Sequence, residues 1–179
     1  VFSNRDKRTL LDKMIVLIDS LGMNEPFYFV ADAYYATGKI VRGLLAKGNH
    51  LVTRVRCNSV AYFPATPPAT RRRGRPKKYG KKIKVASLLK NADRLQETTS
   101  PVYGEKKVTI RFAVADLLRR PVGILVRFVA VDHPSRGMIL LMSTDLNLNP
   151  LEIIRVYGLR FKIELSFKQS LRVIGAYAY

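Results

Sequence analysis

The sequence has 179 residues, 47% of them hydrophobic, which is enough to form the core of one domain, alone or with a large insertion. It carries 32 lysines and arginines against 13 acids, a formal net charge of +19, and residues 33–92 contain fifteen bases and no acid. This composition excludes a disordered tail and predicts a polyanionic partner, either DNA or, as for many basic ribosomal-type proteins, RNA.

The first part of the sequence predicts a helix followed by a strand–helix–strand unit. Apolar side chains at helical spacing indicate the first helix over residues 8–21. The run FYFVAD at residues 27–32 is typical of a strand and places Asp32 at its C-terminal end. A helix over residues 37–48 and a strand over residues 50–56 follow, so we expect two parallel strands joined by a right-handed crossover.

Four residues have reactive or metal-binding side chains, but for each of them we expect a structural role rather than a catalytic or metal-binding one. Cys57 is the only cysteine, which excludes an intrachain disulfide, and we expect a buried, inert thiol in a strand. His50 is expected to begin a strand and His133 to belong to the turn HPSRG. Asp145 is the strongest rival as a metal ligand, but the asparagines that follow it favour a role in a turn. The reduced cysteine, with no signal peptide or long apolar run, predicts a cytoplasmic protein without a membrane span.

Residues 59–84 carry prolines and nine bases between positions 71 and 84, and this composition predicts a mobile basic loop. Its Arg-Gly-Arg-Pro core resembles the AT-hook, an extended segment that enters the narrow minor groove of A·T-rich DNA. Groove reading and plain attraction to phosphates both remain open, and either makes the segment a DNA contact. The bases expected to bind DNA here are Arg71, Arg72, Arg73, Arg75, Lys77 and Lys78.

The C-terminal half predicts three strands and one long helix. The strand-like runs cover residues 108–118, 122–132 and 137–145, and the turn signals between them indicate an antiparallel meander. The sequence NPLE at residues 149–152 supplies a helix N-cap, a proline at the first helical position and an acid at the third. We expect this helix to continue through about residue 171.

On the long helix, Tyr157, Arg160, Glu164 and Lys168 lie three or four residues apart and therefore share one face. One interpretation is a surface helix on which Glu164 forms i,i+4 ion pairs with its two basic neighbours, each worth ~0.2–0.5 kcal/mol. The other combines Glu164 with Asp32, because two converging carboxylates repel each other unless a cation such as Mg²⁺ or Mn²⁺ lies between them. Such a site activates water or a 3′-hydroxyl against a phosphodiester.

The spacing Tyr157-x2-Arg160-x3-Glu164 resembles the Tyr-Arg-Glu-Lys signature of the DDE transposases of bacterial insertion sequences. Residues 29–56 resemble the segment of those enzymes that bears the second catalytic Asp. The resemblance implies an α/β fold with an RNase H-like core and a β-rich insertion between the second and third catalytic acids. It implies metal-dependent cleavage and strand transfer at insertion-sequence ends, with Asp32 and Glu164 as catalytic metal ligands. Tyr157 and Arg160 are then expected to bind DNA phosphates.

The resemblance also implies an organisation of the chain and its partners. Residues 1–57 belong to the core, residues 58–146 to the basic loop and insertion, and residues 147–179 to the catalytic helix. Leu171 stands where the signature has lysine, so Lys168 is expected to take a phosphate contact. No candidate for the family's first catalytic Asp precedes the FYFVAD strand, so we expect a fragment that does not cleave DNA unaided.

The implied partners are transposon-end and target duplex DNA, with a homodimer as one assembly of the full-length protein and a location at the bacterial nucleoid. The alternative is a non-catalytic basic DNA-binding protein or a decayed transposase.

Overall fold

The computed structural model describes residues 6–67, 74–105 and 107–173, without the side chains of residues 164 and 167. It shows one mixed β-sheet with helices on both faces. The helices are α1 (Leu10–Ser20), α2 (Gly38–Leu45) and α3 (Pro150–Val173), with 3₁₀ segments at Ala33–Tyr35, Val85–Lys90 and Ala92–Arg94. The strands are β1 (Tyr28–Ala31), β2 (His50–Arg54), β3 (Val60–Pro64), β4 (Tyr79–Lys84), β5 (Gln96–Thr99), β6 (Thr109–Arg119), β7 (Ile124–His133) and β8 (Gly137–Ser143).

The predicted strand–helix–strand unit is confirmed. β1 and β2 pair in parallel, with Tyr28 opposite His50 and Ala31 opposite Thr53. The helix between them, α2, begins where the Thr37 side chain accepts a hydrogen bond from the Ile40 amide, and it buries its apolar side chains against the sheet. This crossover brings the C-terminal ends of both strands, and therefore Asp32, to one edge of the sheet.

The predicted antiparallel meander is also confirmed and lies in the same sheet. The strand order is β1-β2-β8-β7-β6-β3-β4, and β5 pairs with β6 outside that path. β8 pairs antiparallel with β2, where Thr53 lies opposite Met142. The meander thus continues the hydrogen bonding of the crossover unit, and the division of the chain into core and insertion stays a prediction.

The two faces of the sheet bury two separate hydrophobic cores. On one face α1, α2 and the Val85–Lys90 segment cover a core that contains Ile40 and the fully buried Phe128. On the other face α3 packs against β1, β2, β8 and β7, where its Ile153 and Tyr157 meet Leu141. No helix within the described residues is long and apolar enough to cross a membrane.

The prediction of an unpacked loop over residues 59–84 is wrong for both ends of that segment. β3 and β4 pair antiparallel, with Ala61 opposite Ile83 and Tyr62 opposite Lys82. Ala61 and Ile83 pack into the core beside α2, and this alternation with polar neighbours makes a strand despite the lysines and prolines. Residues 68–73, where the AT-hook resemblance begins, lie outside the described residues.

The register between β3 and β4 shifts beside Gly80, and the shift makes glycine necessary there. A Cβ at Gly80 would lie 2.8 Å from the Pro64 carbonyl oxygen, a backbone atom that cannot easily move. Gly80→Ala is therefore expected to lower the free energy of unfolding by about 1–3 kcal/mol, measured by urea denaturation. Lys81→Ala, at the exposed adjacent position, is the control and should change it by less than ~0.5 kcal/mol. Equal losses of unfolding free energy in the two variants would contradict the conclusion that the register shift requires glycine at position 80.

Candidate functional site

Asp32 is the first residue after β1, and its main chain is held firmly at the end of the sheet. Its carbonyl oxygen accepts a hydrogen bond from Thr53 Oγ1 of β2 at 2.8 Å and another from the Tyr35 amide at 3.0 Å. The side chain makes no capping bond to the short 3₁₀ segment that follows and is 52% exposed. The fold thus fixes the position of Asp32 and leaves its carboxylate facing outward.

The long helix α3 begins as predicted and is seated closely on the sheet. The Asn149 side chain accepts a hydrogen bond from the Leu151 amide at 2.8 Å, which caps the helix. Two turns later Tyr157 is buried, at 6% exposure. The next residue is Gly158, where a Cβ would lie 2.9 Å from a methyl group of Val102. This close approach holds α3 against the segment between β5 and β6 at the turn that carries the predicted phosphate-binding residues.

The structure brings three of the predicted site residues together. Arg160 forms a two-point ion pair with Asp32, with Nη1 at 2.7 Å from Oδ1 and Nη2 at 2.9 Å from Oδ2. Arg160 Nη1 also donates to the Tyr157 hydroxyl at 3.4 Å. Asp32 and Arg160 are 128 positions apart in the sequence, so their contact depends on the complete fold rather than on helix spacing.

These residues face an open cleft of about 780 Å³ that also carries two arginines from the end of β2, Arg54 and Arg56. Neither arginine is among the site residues predicted from the sequence, although the sequence contains a signal for them. Because β1 and β2 are parallel, the residues that follow the two strands lie at the same edge of the sheet as Asp32. The cleft therefore offers three guanidinium groups to an anionic ligand.

The expectation that Cys57 is a buried thiol within a strand is wrong. β2 ends at Arg54, and the chain turns at once, with the Ser59 amide donating to the Arg56 carbonyl at 2.9 Å. Cys57 lies in that turn, is exposed and lines the Asp32 cleft. The β-branched residues before it suggested a longer strand than the sheet accommodates.

The fit of a divalent metal to this cleft rests on carboxylate ligands. Carboxylate oxygens suit Mg²⁺ or Mn²⁺, and Asp32 presents two of them, both bound to Arg160 in this geometry. Within the described ranges, no three His, Cys, Asp or Glu side chains gather as a metal site. Residue 164 lies one helical turn beyond Arg160, and its side chain is outside the description. The pairing of Asp32 with Glu164 thus stays a prediction.

Of the remaining predicted DNA contacts, those within the described residues do not line this cleft. Lys168 is exposed on α3, about 12 Å farther along the helix axis than Arg160. Arg75, Lys77 and Lys78 are exposed on the approach to β4. Arg71, Arg72 and Arg73 fall outside the described residues. DNA binding by all of these bases stays a prediction.

Asp145 serves a turn, as expected. Its Oδ1 accepts from the Asn147 amide at 2.8 Å, and its Oδ2 accepts from the Tyr28 hydroxyl at 2.5 Å. Burial raises the pKa of Asp145, but the hydrogen bond from Tyr28 and neighbouring contacts outweigh burial and hold this pKa below its usual value. The same hydrogen bond raises the pKa of Tyr28 to about 12. Asp145 is therefore committed to the structure that joins β8 to α3.

The two histidines also have the structural places expected of them. His50 begins β2, and its Nδ1 lies 3.3 Å from Thr144 Oγ1. His133 ends β7, and its Nδ1 accepts from the amides of the following turn, while its Nε2 lies 3.2 Å from Glu105. Burial raises the pKa of Glu105, but hydrogen bonds from Ser100 and His133 outweigh burial and lower this pKa overall. This buried cluster joins the β7–β8 turn to the segment before β6.

Comparison with known proteins adds one finding. Residues 1–114 match the family described as DDE superfamily endonuclease. The matched range includes Asp32 and the whole β1–α2–β2 unit, and it ends within β6, before α3. No curated protein matches the sequence.

Proposed function

The chain belongs to the DDE superfamily endonuclease family, and on this premise we propose that it forms the catalytic domain of a DNA transposase. The proposed reaction is metal-dependent cleavage of a DNA strand and its transfer at the ends of an insertion sequence. The observation that carries the proposal is the meeting of Asp32 with Tyr157 and Arg160 in a cleft rich in arginine. The spacing of residues along α3 does not account for the contact with Asp32, because Asp32 lies 128 positions from Arg160 in the sequence.

In this proposal Asp32 and Glu164 hold Mg²⁺ or Mn²⁺. When bound, such an ion supplies activation of water or a 3′-hydroxyl and stabilisation of the leaving oxygen. Arg160 binds two oxygens of the DNA phosphate with the same two-point geometry that it gives to the Asp32 carboxylate. The buried Tyr157 hydroxyl keeps the guanidinium oriented toward the cleft.

Two further features support DNA as the substrate. Arg54 and Arg56 raise the positive potential of the cleft beside Asp32, and this favours the approach of a phosphodiester. We propose an RNase H-like core because a parallel strand pair ends in an acid while a long helix packs across the same strands. The meander β6–β8 is then the β-rich insertion, joined edge to edge with the core sheet.

A second candidate function is non-catalytic DNA binding. The observation in its favour is that Arg160 occupies both carboxylate oxygens of Asp32. A decayed transposase would keep the basic surfaces and use Asp32 only to position Arg160.

The two candidate functions predict different effects of Asp32→Asn and Glu164→Gln on metal binding and DNA cleavage. We expect each substitution to lower Mn²⁺ affinity by about tenfold or more, measured by electron paramagnetic resonance with duplex DNA present. Any Mg²⁺-dependent nicking of supercoiled plasmid should disappear, while DNA affinity stays within ~threefold. Asp93→Asn removes another exposed carboxylate, which does not line the Asp32 cleft, and serves as the matched control. If Mn²⁺ binding and nicking are unchanged in both variants, the non-catalytic function is correct.

A further inference from the structure

The hairpin of β3 and β4 presents one of its faces on the α3 side of the sheet. Tyr62 lies opposite Leu118 of β6, which shares a face with Phe112 of the core beneath α3. Lys82 lies opposite Tyr62, and Lys84 lies opposite Val60 two positions away, so both lysines project from this same face. Both are exposed, which shows that α3 does not cover this part of the sheet.

The other face of the hairpin belongs to the protein core. Ala61 and Ile83 pack beside α2 and the Val85–Lys90 segment. Lys81 precedes Ile83 by two positions and projects toward that side, at its exposed margin. The hairpin thus carries chemically similar lysines on two different faces, which makes a matched comparison available.

On the α3 side, the hairpin forms a shallow concavity with the turn between β6 and β7. This open concavity has a volume of about 330 Å³ and is lined by Tyr62, Lys77, Lys78, Tyr79, Gly80 and Arg120. The two tyrosine rings meet edge to face, with centroids 5.3 Å apart. Cations from two separate parts of the chain therefore surround one aromatic pair.

These cations have no acidic partners among the described residues. The ion pairs of the protein involve other bases, such as Lys39 with Asp12 and Arg127 with Asp116. Lysines on an edge strand can also serve to prevent pairing with other strands. That role does not require Arg120 from a different turn, nor two tyrosines on the face that carries Lys82 and Lys84.

We infer that this surface, the hairpin face (Tyr62, Lys78, Tyr79, Lys82, Lys84 and Arg120), binds the phosphate backbone of duplex DNA outside the Asp32 cleft. β4 and β1 are the two ends of the seven-strand path, separated by six inter-strand spacings. At ~4.8 Å each these amount to about 29 Å, which corresponds to roughly eight or nine base pairs of B-DNA. The hairpin face accordingly holds DNA that flanks the reacting phosphate. This inference rests on the proposed function for the identity of the ligand.

The test compares two double variants with the same change in charge. Lys82→Glu with Lys84→Glu alters the hairpin face, whereas Lys81→Glu with Lys90→Glu alters the α2 side. A 30-base-pair duplex of arbitrary sequence is titrated by fluorescence anisotropy over a series of NaCl concentrations. We expect the first variant to lose about tenfold or more in affinity and to lower the salt slope by about two, as for two lost phosphate contacts. The second variant should lose less than ~threefold.

Three results would overturn the inference. Equal losses in the two double variants would show that net charge alone matters. An unchanged salt slope in the hairpin-face variant would exclude phosphate contacts there. A larger loss for a hairpin RNA of similar length than for the duplex would identify RNA as the partner. Urea denaturation verifies that both variants remain folded. Asp32→Asn should leave this duplex affinity within ~threefold, so the metal site and the hairpin face can each fail separately.

Discussion

Replacing Arg160 with alanine is expected to strengthen metal binding in the absence of DNA and to weaken DNA binding. The guanidinium now occupies both carboxylate oxygens of Asp32, and any cation at that carboxylate must displace it. Losing this half-exposed ion pair, worth up to ~1 kcal/mol, should raise Mn²⁺ affinity by up to about fivefold. Losing a charge-assisted contact to phosphate should lower duplex affinity by at least about tenfold. Titrations of Mn²⁺ and of duplex DNA measure the two effects.

The matched control is Arg155→Ala. Arg155 lies on the same helix and pairs with Glu152 at 2.6 Å, away from the Asp32 cleft. Its loss should leave both affinities within ~twofold. If Arg160→Ala lowers the affinity for Mn²⁺ and for DNA together, Arg160 supports the carboxylate rather than competing for it. The proposal that the Arg160 guanidinium leaves Asp32 to bind a DNA phosphate would then be wrong.

The largest effect on stability is expected for Phe128→Ala. Phe128 is fully buried at the middle of β7, where α2 and the Val85–Lys90 segment cover the sheet. Removing its ring should lower the free energy of unfolding by about 3–5 kcal/mol, a large part of the ~5–15 kcal/mol typical of a domain. Urea denaturation followed by circular dichroism measures this change.

Leu125→Ala on the same strand is the control for Phe128. Leu125 is 36% exposed and belongs to neither hydrophobic core. Its truncation is expected to lower the free energy of unfolding by less than ~1 kcal/mol. Similar losses at the two positions would mean that strand propensity, rather than core packing, determines the stability of β7.

The sequence predicts those elements whose signals are local and repeated. The alternation and turn residues of the β6–β8 meander, and the NPLE start of α3, are readable without knowledge of the fold. The parallel pair β1–β2 follows from the length of the crossover, and it places Asp32 at the sheet edge. Family membership agrees with this reading over residues 1–114.

Features that depend on distant contacts escaped the same reasoning. β4 contains three lysines, a tyrosine and a glycine beside a single Ile83, and only its pairing with β3 shows that Ile83 is a core residue. The extent of β2, and with it the exposure of Cys57, is set by the sheet rather than by β-branched residues. Helix spacing suggested neighbours on α3 as partners of Arg160 but did not indicate its ion pair with Asp32, which follows β1.

The 128-residue separation of Asp32 and Arg160 also determines when the cleft can exist during folding. Closing so long a segment costs chain entropy that local strand pairing does not repay, so contacts of this kind form late. β2, β7 and β8 must first provide the surface on which α3 docks. The cleft therefore assembles late in folding, after α3 has been synthesised and has docked. Partly folded chains would expose Asp32 without Arg160. A ligand that contacts both residues would therefore bind only chains in which α3 has docked on the sheet.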